Sequence, residues 1–219
     1  MIVTKQKSLQ DILAALKNKT NIFIIGCGEC ATACKTGGEE EVKALASELS
    51  KHKKNIIGSV IPKAPCVVSQ VKRDLSKFRV ELEKTDCVLV MACGLGVQAV
   101  IKSKRFNGKV VSCCDTLFAG SMTSVGEFFE SCSSCGECVL NITGGLCPVT
   151  RCPKSLLNGP CGGAKNGKCE VDRNNDCVWI LIYERLKELG ELDNIKNFIE
   201  AKNQRKNLRP GSRSLKKDN

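Results

Sequence analysis

The stretch NIFIIGCGECATACKTGG, from Asn21 to Gly38, begins as an uninterrupted apolar run and continues into a loop rich in glycine and cysteine. A short apolar run of this kind, bounded by glycine, is typical of a strand that is buried on both faces of a sheet. The acidic residues from Glu39 onward then begin a helical pattern. A buried strand, a loop and a helix in this order predict one unit of a parallel α/β sheet.

The same alternation continues on both sides of this stretch, through residues 1–120. Apolar runs predict strands at 21–25, 55–61, 87–91 and 109–113, and apolar stripes at helical spacing lie at 9–16, 42–49, 71–82 and 97–101. Continuous apolar strands separated by amphipathic helices indicate a sheet that is covered on both faces. The predicted fold class is therefore α/β, with a doubly wound, mostly parallel four-stranded sheet.

The hydrophobic periodicity stops soon after residue 120. Residues 131–176 contain glycine, proline and scattered cysteines, and bury too little apolar surface to fold unless a metal contributes. A helical pattern resumes at 178–189 and a shorter one follows at 193–199, with Trp179 expected to pack against the cysteine-rich region. The predicted domains are an α/β domain at 1–125, a loop-rich cysteine and metal module with terminal helices at 126–200, and a basic flexible tail at 201–219.

Charge and composition limit the classes of partner. Aromatic residues make up 4% of the 219 residues, which disfavours a stacking surface for single-stranded nucleic acid. Of the net charge of +11, the tail supplies +6, and each four-thiolate site around zinc or a [4Fe–4S] core adds negative charge to the remainder. The folded part is therefore near neutral, and nucleic-acid binding is not expected. A solvated tail is the first interpretation, and an acidic partner for it is the second.

The 16 cysteines point to metal rather than to disulfides. The first 20 residues lack the apolar core of a signal peptide, and no apolar window is long enough for a membrane span. These features predict a cytoplasmic protein, and in a reducing compartment a high density of cysteine indicates metal binding.

A first group of cysteines follows the ends of the predicted strands. The loop quoted above carries a C-x₂-C-x₃-C motif, formed by Cys27, Cys30 and Cys34. Because the carboxyl ends of parallel strands face one crevice, a fourth thiolate from another strand end could complete an iron–sulfur site. Cys93 is the first choice for that ligand and Cys66 the second. Cys87 is expected in the core, and Cys113 and Cys114 fit either role.

The same loop also matches a dinucleotide-binding fingerprint. The G-x-G-x-x-A pattern occurs twice, at Gly26, Gly28 and Ala31 and at Gly94, Gly96 and Ala99. That fingerprint requires an acidic residue near the end of the second strand, and residues 58–61 contain none. We instead expect these glycines to let backbone N–H groups approach the cysteine sulfurs.

A second group of cysteines lies between Ser131 and Cys177, a span that contains eight cysteines and no histidine. It opens with a C-x₂-C-x₂-C run of the ferredoxin type, which a Cys-Pro pair completes in such proteins. The predicted first site uses Cys132, Cys135, Cys138 and one of Cys147 or Cys152. The remaining four thiols, which include Cys161, Cys169 and Cys177, predict a second site, either another cluster or a four-cysteine zinc.

No catalytic constellation accompanies these cysteines. The single histidine, His52, lies in a basic segment and excludes Cys₂His₂, Rieske and histidine-triad sites. No catalytic residue is therefore predicted.

Several segments together resemble the MetV family, the small cysteine-rich subunit or C-terminal domain associated with methylenetetrahydrofolate reductase. They are GCGECATACKTGGEEEV, ACGLGVQ, DTLFAG, ESCSSCGECVLNITGGLCPVTRCPKSLLNGPCGGAKNGKCE and CVWILIYERL, which together span roughly residues 20–195. Leu95 in ACGLGVQ stands where relatives are expected to have an acid, so no role is assigned to that position.

The resemblance implies an iron–sulfur electron-transfer subunit that is not catalytic on its own. Its partner would be a MetF-type flavin-containing large subunit, which reduces methylenetetrahydrofolate to methyltetrahydrofolate in the methyl branch of the Wood–Ljungdahl pathway, with further electron-transfer subunits as additional partners. The expected cofactors are two [4Fe–4S] clusters, with either a third cluster or one structural zinc at the remaining four-cysteine site. The alternatives are an all-zinc scaffold subunit that stabilises or recruits the reductase and, less favoured, a zinc-ribbon nucleic-acid binder.

Overall fold

The structure is a computed structural model that describes residues 1–214. Three charged residues of the predicted tail, Lys216, Lys217 and Asp218, lie outside the described residues. The chain divides into two compact units, Met1–Phe128 and Phe129–Asn219. This division lies close to the boundary that was predicted after residue 125.

Strands and helices alternate in the first unit, and loops dominate the second. The strands in the described residues are β1 (Ile2–Gln6), β2 (Asn21–Ile25), β3 (Asn55–Val60), β4 (Cys87–Val90), β5 (Lys109–Ser112), β6 (Cys114–Ser124) and β7 (Glu127–Cys132). The α-helices there are α1 (Leu9–Ala15), α2 (Cys30–Ala33), α3 (Glu39–Lys51), α4 (Val68–Leu75), α5 (Arg79–Glu83), α6 (Gly94–Lys102), α7 (Pro148–Arg151) and α8 (Val178–Leu189).

The central sheet has four parallel strands in the order β3-β2-β4-β5. Side chains alternate across it, as the middle strand β2 shows. Ile22 and Ile24 pack in the cluster that contains residues of α1 and α3. Phe23 and Ile25 pack in the opposite cluster, with residues of α4, α5 and α6. Helices therefore cover both faces, and the predicted doubly wound α/β fold is confirmed.

One predicted helix is broken in the structure. The stripe predicted at 71–82 becomes α4, a 3₁₀ turn at Ser76–Phe78 and α5. The Phe78 ring packs edge-on against Phe23, with 5.4 Å between the ring centroids. The turn places that ring on the sheet, and this tertiary contact is not visible in the local periodicity.

A second sheet was not predicted. Its three strands have the order β1-β6-β7, and β1 and β6 pair antiparallel from Ile2 opposite Ala119 to Gln6 opposite Cys114. Most residues of β6 are exposed or half-buried. The strand therefore lacks the apolar alternation that a half-buried strand shows.

The second unit has a small hydrophobic core around α8. Its four buried residues are Val178, Trp179, Ile182 and Leu186, whereas the two clusters of the first unit contain 12 and 11 buried residues. The helix begins and ends as predicted, and Gly190 closes it with a φ of 70°. The short helix predicted at 193–199 is a 3₁₀ turn at Leu192–Lys196.

Within residues 1–214, no helix combines the length and the hydrophobicity that crossing a bilayer would demand.

Candidate metal centres

The first candidate centre lies at the carboxyl end of the parallel sheet. There the loop after β2 packs against the end of β4, and glycine is required at the contact. A Cβ on Gly37 would lie 1.9 Å from the carbonyl oxygen of Met91. The Gly37 carbonyl in turn accepts a hydrogen bond of 2.8 Å from the Cys27 backbone N–H. This close packing fixes the Cys27–Cys34 loop beside the strand that leads to Cys93.

The sulfur of Cys27 lies among other thiols and backbone donors. Burial raises the pKa of Cys27, the backbone N–H groups of Ala31 and Glu29 act against this, and the neighbouring Cys30 and Cys93 raise it further. The structure therefore brings Cys93, the first choice for a fourth ligand, to the C-x₂-C-x₃-C loop. It also places backbone N–H groups at the sulfur of Cys27, and these belong to Ala31 and Glu29 rather than to the glycines of the pattern.

Two elements of the second sheet complete this neighbourhood. In β1, the Ile2 backbone N–H donates to Cys30 Sγ at 3.5 Å, and its carbonyl accepts from Cys34 Sγ at 3.9 Å. At the start of β6, burial raises the pKa of Cys114 to about 12, and the thiols of Cys93 and Cys34 act in the same direction. Cys114, which fitted either role in the sequence, therefore joins the thiol group.

The other cysteines of the first unit differ from these thiols in their burial and in the residues that surround them. Cys66 is exposed on the loop that follows β3. Cys87 and Cys113 are fully buried in one hydrophobic cluster, and burial raises the pKa of both thiols. The expectation that Cys87 is a core residue is confirmed, and Cys113 has the same role.

The backbone of the loop argues against nucleotide binding. The N–H groups of Gly26, Cys27 and Gly28 donate to the carbonyls of Val60, Gly37 and Pro62 at 2.9, 2.8 and 2.9 Å. A dinucleotide site of this type needs such N–H groups for its pyrophosphate. Here they are already satisfied by protein carbonyls, which supports the rejection of the fingerprint.

In the second unit, four cysteines line one small cavity, and they are Cys152, Cys161, Cys169 and Cys177. Two backbone hydrogen bonds hold the segment that carries the last two. Cys169 N–H donates to Asn175 at 2.9 Å, and Cys177 N–H donates to Gly167 at 2.8 Å. Trp179 also lines the cavity, and its indole Nε1 donates to the Leu156 carbonyl at 3.0 Å. Trp179 thus packs against the cysteine-rich module, as predicted.

This cavity favours one of the two ligand assignments that the sequence left open. Because Cys152 lines the cavity with the last three cysteines, Cys147 is the thiol that remains for the Cys132–Cys138 loop. Cys147 precedes α7 and its Sγ lies 3.7 Å from the hydroxyl of Thr150. Within the loop, the Ser134 backbone N–H donates to Cys132 Sγ at 3.3 Å, and Cys138 is exposed.

Cys135 has a partner that the cysteine motifs did not indicate. Burial raises the pKa of Cys135, but the backbone hydrogen bond from Glu137 and the ammonium group of Lys202 outweigh it, so the pKa is lowered. The Lys202 Nζ donates to the sulfur at 3.3 Å. Apart from the positive charge of the tail, no sequence feature indicates this contact.

The donor chemistry of both units fits a metal centre. All 16 cysteines are free thiols, and thiolate is the ligand that iron–sulfur clusters and structural zinc take. Among residues 1–214, however, no three Cys, His, Asp or Glu side chains lie close enough together to form a ready-made metal site. His52 is exposed at the end of α3. Ligation by the predicted cysteines therefore stays a prediction.

Part of the chain is similar to a known protein family. Residues 111–205 match the family model described as methylene-tetrahydrofolate reductase C terminal. The matched range contains all eight cysteines of the second unit, together with α8. The resemblance to a methylenetetrahydrofolate reductase C-terminal domain is thus confirmed over these residues. No curated protein and no solved structure matches the chain.

Proposed function

We propose that this protein is an iron–sulfur electron-transfer subunit of a methylenetetrahydrofolate reductase complex. Its partner in this proposal is a MetF-type flavin-containing subunit, and the electrons serve the reduction of methylenetetrahydrofolate to methyltetrahydrofolate in the Wood–Ljungdahl methyl branch. The protein itself performs no substrate chemistry. The compartment is the cytoplasm, where thiols stay reduced and available for metal.

The observation that carries this proposal is the grouping of thiols within a reductase-related chain. The cavity formed by Cys152, Cys161, Cys169 and Cys177 lies inside the segment that matches the reductase C-terminal family. At the end of the parallel sheet, Cys30 and Cys93 lie near enough to Cys27 to raise its pKa. Repeated thiol groups without histidine, and without a predicted acid–base pair, suit electron transfer better than substrate chemistry.

The residues of the chain have distinct tasks in this proposal. A bound [4Fe–4S] cluster would supply one-electron storage, and the cysteines would hold it. The N–H groups of Ala31 and Glu29 at Cys27, and of Ser134 at Cys132, would stabilise negative charge on sulfur. The burial of Cys27 would limit contact with water, which also affects the reduction potential.

A specific observation favours zinc at one of the sites. Cys152 and Cys177 pack against the small hydrophobic core that contains Trp179. The four-cysteine cavity therefore adjoins the core of the second unit. A closed site of four cysteines is typical of structural zinc. The alternative function is therefore an all-zinc scaffold subunit that stabilises or recruits the reductase.

Anaerobic purification followed by iron, sulfide and zinc analysis tests the proposal. We expect iron and sulfide in amounts that correspond to two or three clusters, and a brown colour that dithionite bleaches. Reduced protein mixed with the MetF-type partner should then reduce its flavin. Zinc without iron would support the scaffold and contradict electron transfer.

Cysteine variants assign the sites. Cys135→Ser and Cys161→Ser should each lower metal content, because each removes a predicted ligand from a different group. Cys87→Ala is the matched control, because it removes a buried thiol that packs among hydrophobic residues. Equal metal loss in all three variants would indicate unfolding rather than ligation.

A further inference from the structure

We propose that residues 199–206 form a C-terminal strap that closes the Cys132–Cys138 loop, with Lys202 as the positioning residue that holds the sulfur of Cys135. The iron-specific part of this inference rests on the proposed function, but the closing role holds for any metal bound by these thiols. The contacts below, all within the second unit, carry the inference.

The strap is anchored first between two cysteines of the four-cysteine cavity. Asn158 lies between Cys152 and Cys161, and its side chain forms two hydrogen bonds with the Ile199 backbone. The Asn158 Nδ2 donates to the Ile199 carbonyl at 2.9 Å, and the Ile199 N–H donates to Asn158 Oδ1 at 2.7 Å. A paired bond of this kind fixes both the position and the direction of the strap.

The second anchor is Glu137, which lies between Cys135 and Cys138. Its carboxylate accepts from the Asn203 backbone N–H at 2.8 Å and forms an ion pair with Lys206. The lysine and the amide together lower the pKa of Glu137. The strap also lies close to the loop backbone, since a Cβ on Gly136 would stand 2.8 Å from the Lys206 carbonyl oxygen.

Between these anchors, Lys202 is directed at the loop. Its Nζ donates to Cys135 Sγ at 3.3 Å and to the carbonyl oxygen of Glu137. The side chain therefore joins a thiol and a backbone carbonyl of the same loop. An ammonium donor at a ligand sulfur stabilises the negative charge that the sulfur carries when it binds metal.

This arrangement changes the interpretation of the tail. A flexible segment was predicted from residue 201 onward, because the sequence there is basic and lacks hydrophobic periodicity. In the described part of the tail, Lys202 and Lys206 instead contact the Cys132–Cys138 loop. The strap is held by hydrogen bonds and charge rather than by apolar packing, and hydrophobic periodicity cannot detect such contacts.

The test compares Lys202→Gln with Arg205→Gln in the full chain, purified anaerobically with its metal. Both changes remove one positive charge from the strap, but the contact to the cysteine loop belongs to Lys202. We measure the rate at which a chelator removes metal from each variant. Lys202→Gln should release metal about 10-fold faster, the usual effect of removing a hydrogen-bond partner of a metal ligand, and Arg205→Gln should match the wild type. Far-UV circular dichroism of the full chain checks that each variant is folded.

A double-mutant cycle separates a positioned contact from a general charge effect. Glu137→Gln removes the second anchor, so it should accelerate release as Lys202→Gln does, and the double variant should release metal no faster than either single variant. Additive effects, or equal acceleration by Arg205→Gln, would overturn the proposal. Lys202→Arg, which keeps the charge, should retain most of the wild-type rate.

A second measurement is specific to iron. If clusters are present, Lys202→Gln should shift the reduction potential of one of them to a more negative value, because a positive donor stabilises the reduced state. An unchanged potential in all clusters would contradict the role of Lys202 at the sulfur. If the protein holds zinc alone, electron transfer fails as the function, and the release rates still decide whether the strap closes the site.

Discussion

The two units of the chain are stabilised in different ways. In Met1–Phe128, a parallel sheet lies between two hydrophobic clusters of 12 and 11 buried residues. In Phe129–Asn219, four buried residues of α8 form the core, and most of the chain before that helix is loop. The apolar surface buried in such a small core provides too little free energy to offset the conformational entropy lost when the long loops become ordered.

This difference assigns different roles to the cysteines of each unit. In the first unit, strands and close glycine packing position the thiols, so the fold precedes the site. In the second unit, the loops that carry the thiols have little apolar support, so we expect a metal bound by these thiols to contribute to the fold.

Metal removal gives the largest expected effect. Chelation under reducing conditions should unfold the second unit and leave the first folded. Metal binding at structural thiolate sites contributes on the order of 10 kcal/mol to the free energy of folding. Hydrogen exchange followed by mass spectrometry would show amide protection lost in α8 and retained in β2 and β4. Protection of α8 that survives chelation would contradict the contrast.

Equivalent core substitutions in the two units provide the next test. Leu89 and Leu186 are both fully buried. Replacing either with alanine should lower the free energy of unfolding by about 3 kcal/mol. Leu186→Ala should also lower metal retention, because its core adjoins the four-cysteine cavity, whereas Leu89→Ala should retain the metal. Denaturant unfolding and metal analysis of the two variants make the comparison. Equal metal loss would show that the units are not independent in this respect.

A pair of glycine substitutions tests whether packing alone positions the first thiol group. Gly37→Ala should lower the free energy of unfolding by about 1–3 kcal/mol, because the new methyl group would collide with the Met91 carbonyl. Gly94→Ala is the control, since its Cβ would meet only the Thr116 hydroxyl at 3.5 Å. Thermal unfolding of the first unit measures both. A neutral Gly37→Ala would mean that the loop is not fixed by this contact.

The smallest effect is expected at a surface ion pair of the second unit. Lys168 and Asp176 lie 2.7 Å apart, and both side chains are about half exposed. Asp176→Asn should change the unfolding free energy by less than about 1 kcal/mol, the usual range for exposed pairs. A larger loss in denaturant unfolding would indicate that charge pairs, in addition to metal, hold these loops.

Much of the first unit could be predicted from its apolar pattern, and much less of the second. Strands β2 to β5 were predicted because buried parallel strands are continuously apolar, and Cys93 was expected near Cys27 because parallel strand ends converge. Strand β6 was missed because its side chains are mostly exposed. The choice between Cys147 and Cys152 depends on how loops fold, and sequence spacing does not encode that. Lys202 was missed for the same reason.

The order of the strap in the chain has a consequence for biosynthesis. All eight cysteines of the second unit precede Ile199, so a ribosome completes both thiol groups before it makes the segment that contacts Cys135. If the strap closes this site as proposed, the Cys132–Cys138 loop stays accessible to an incoming metal until translation passes Lys206. Vectorial synthesis would then separate metal binding from closure of the loop in time.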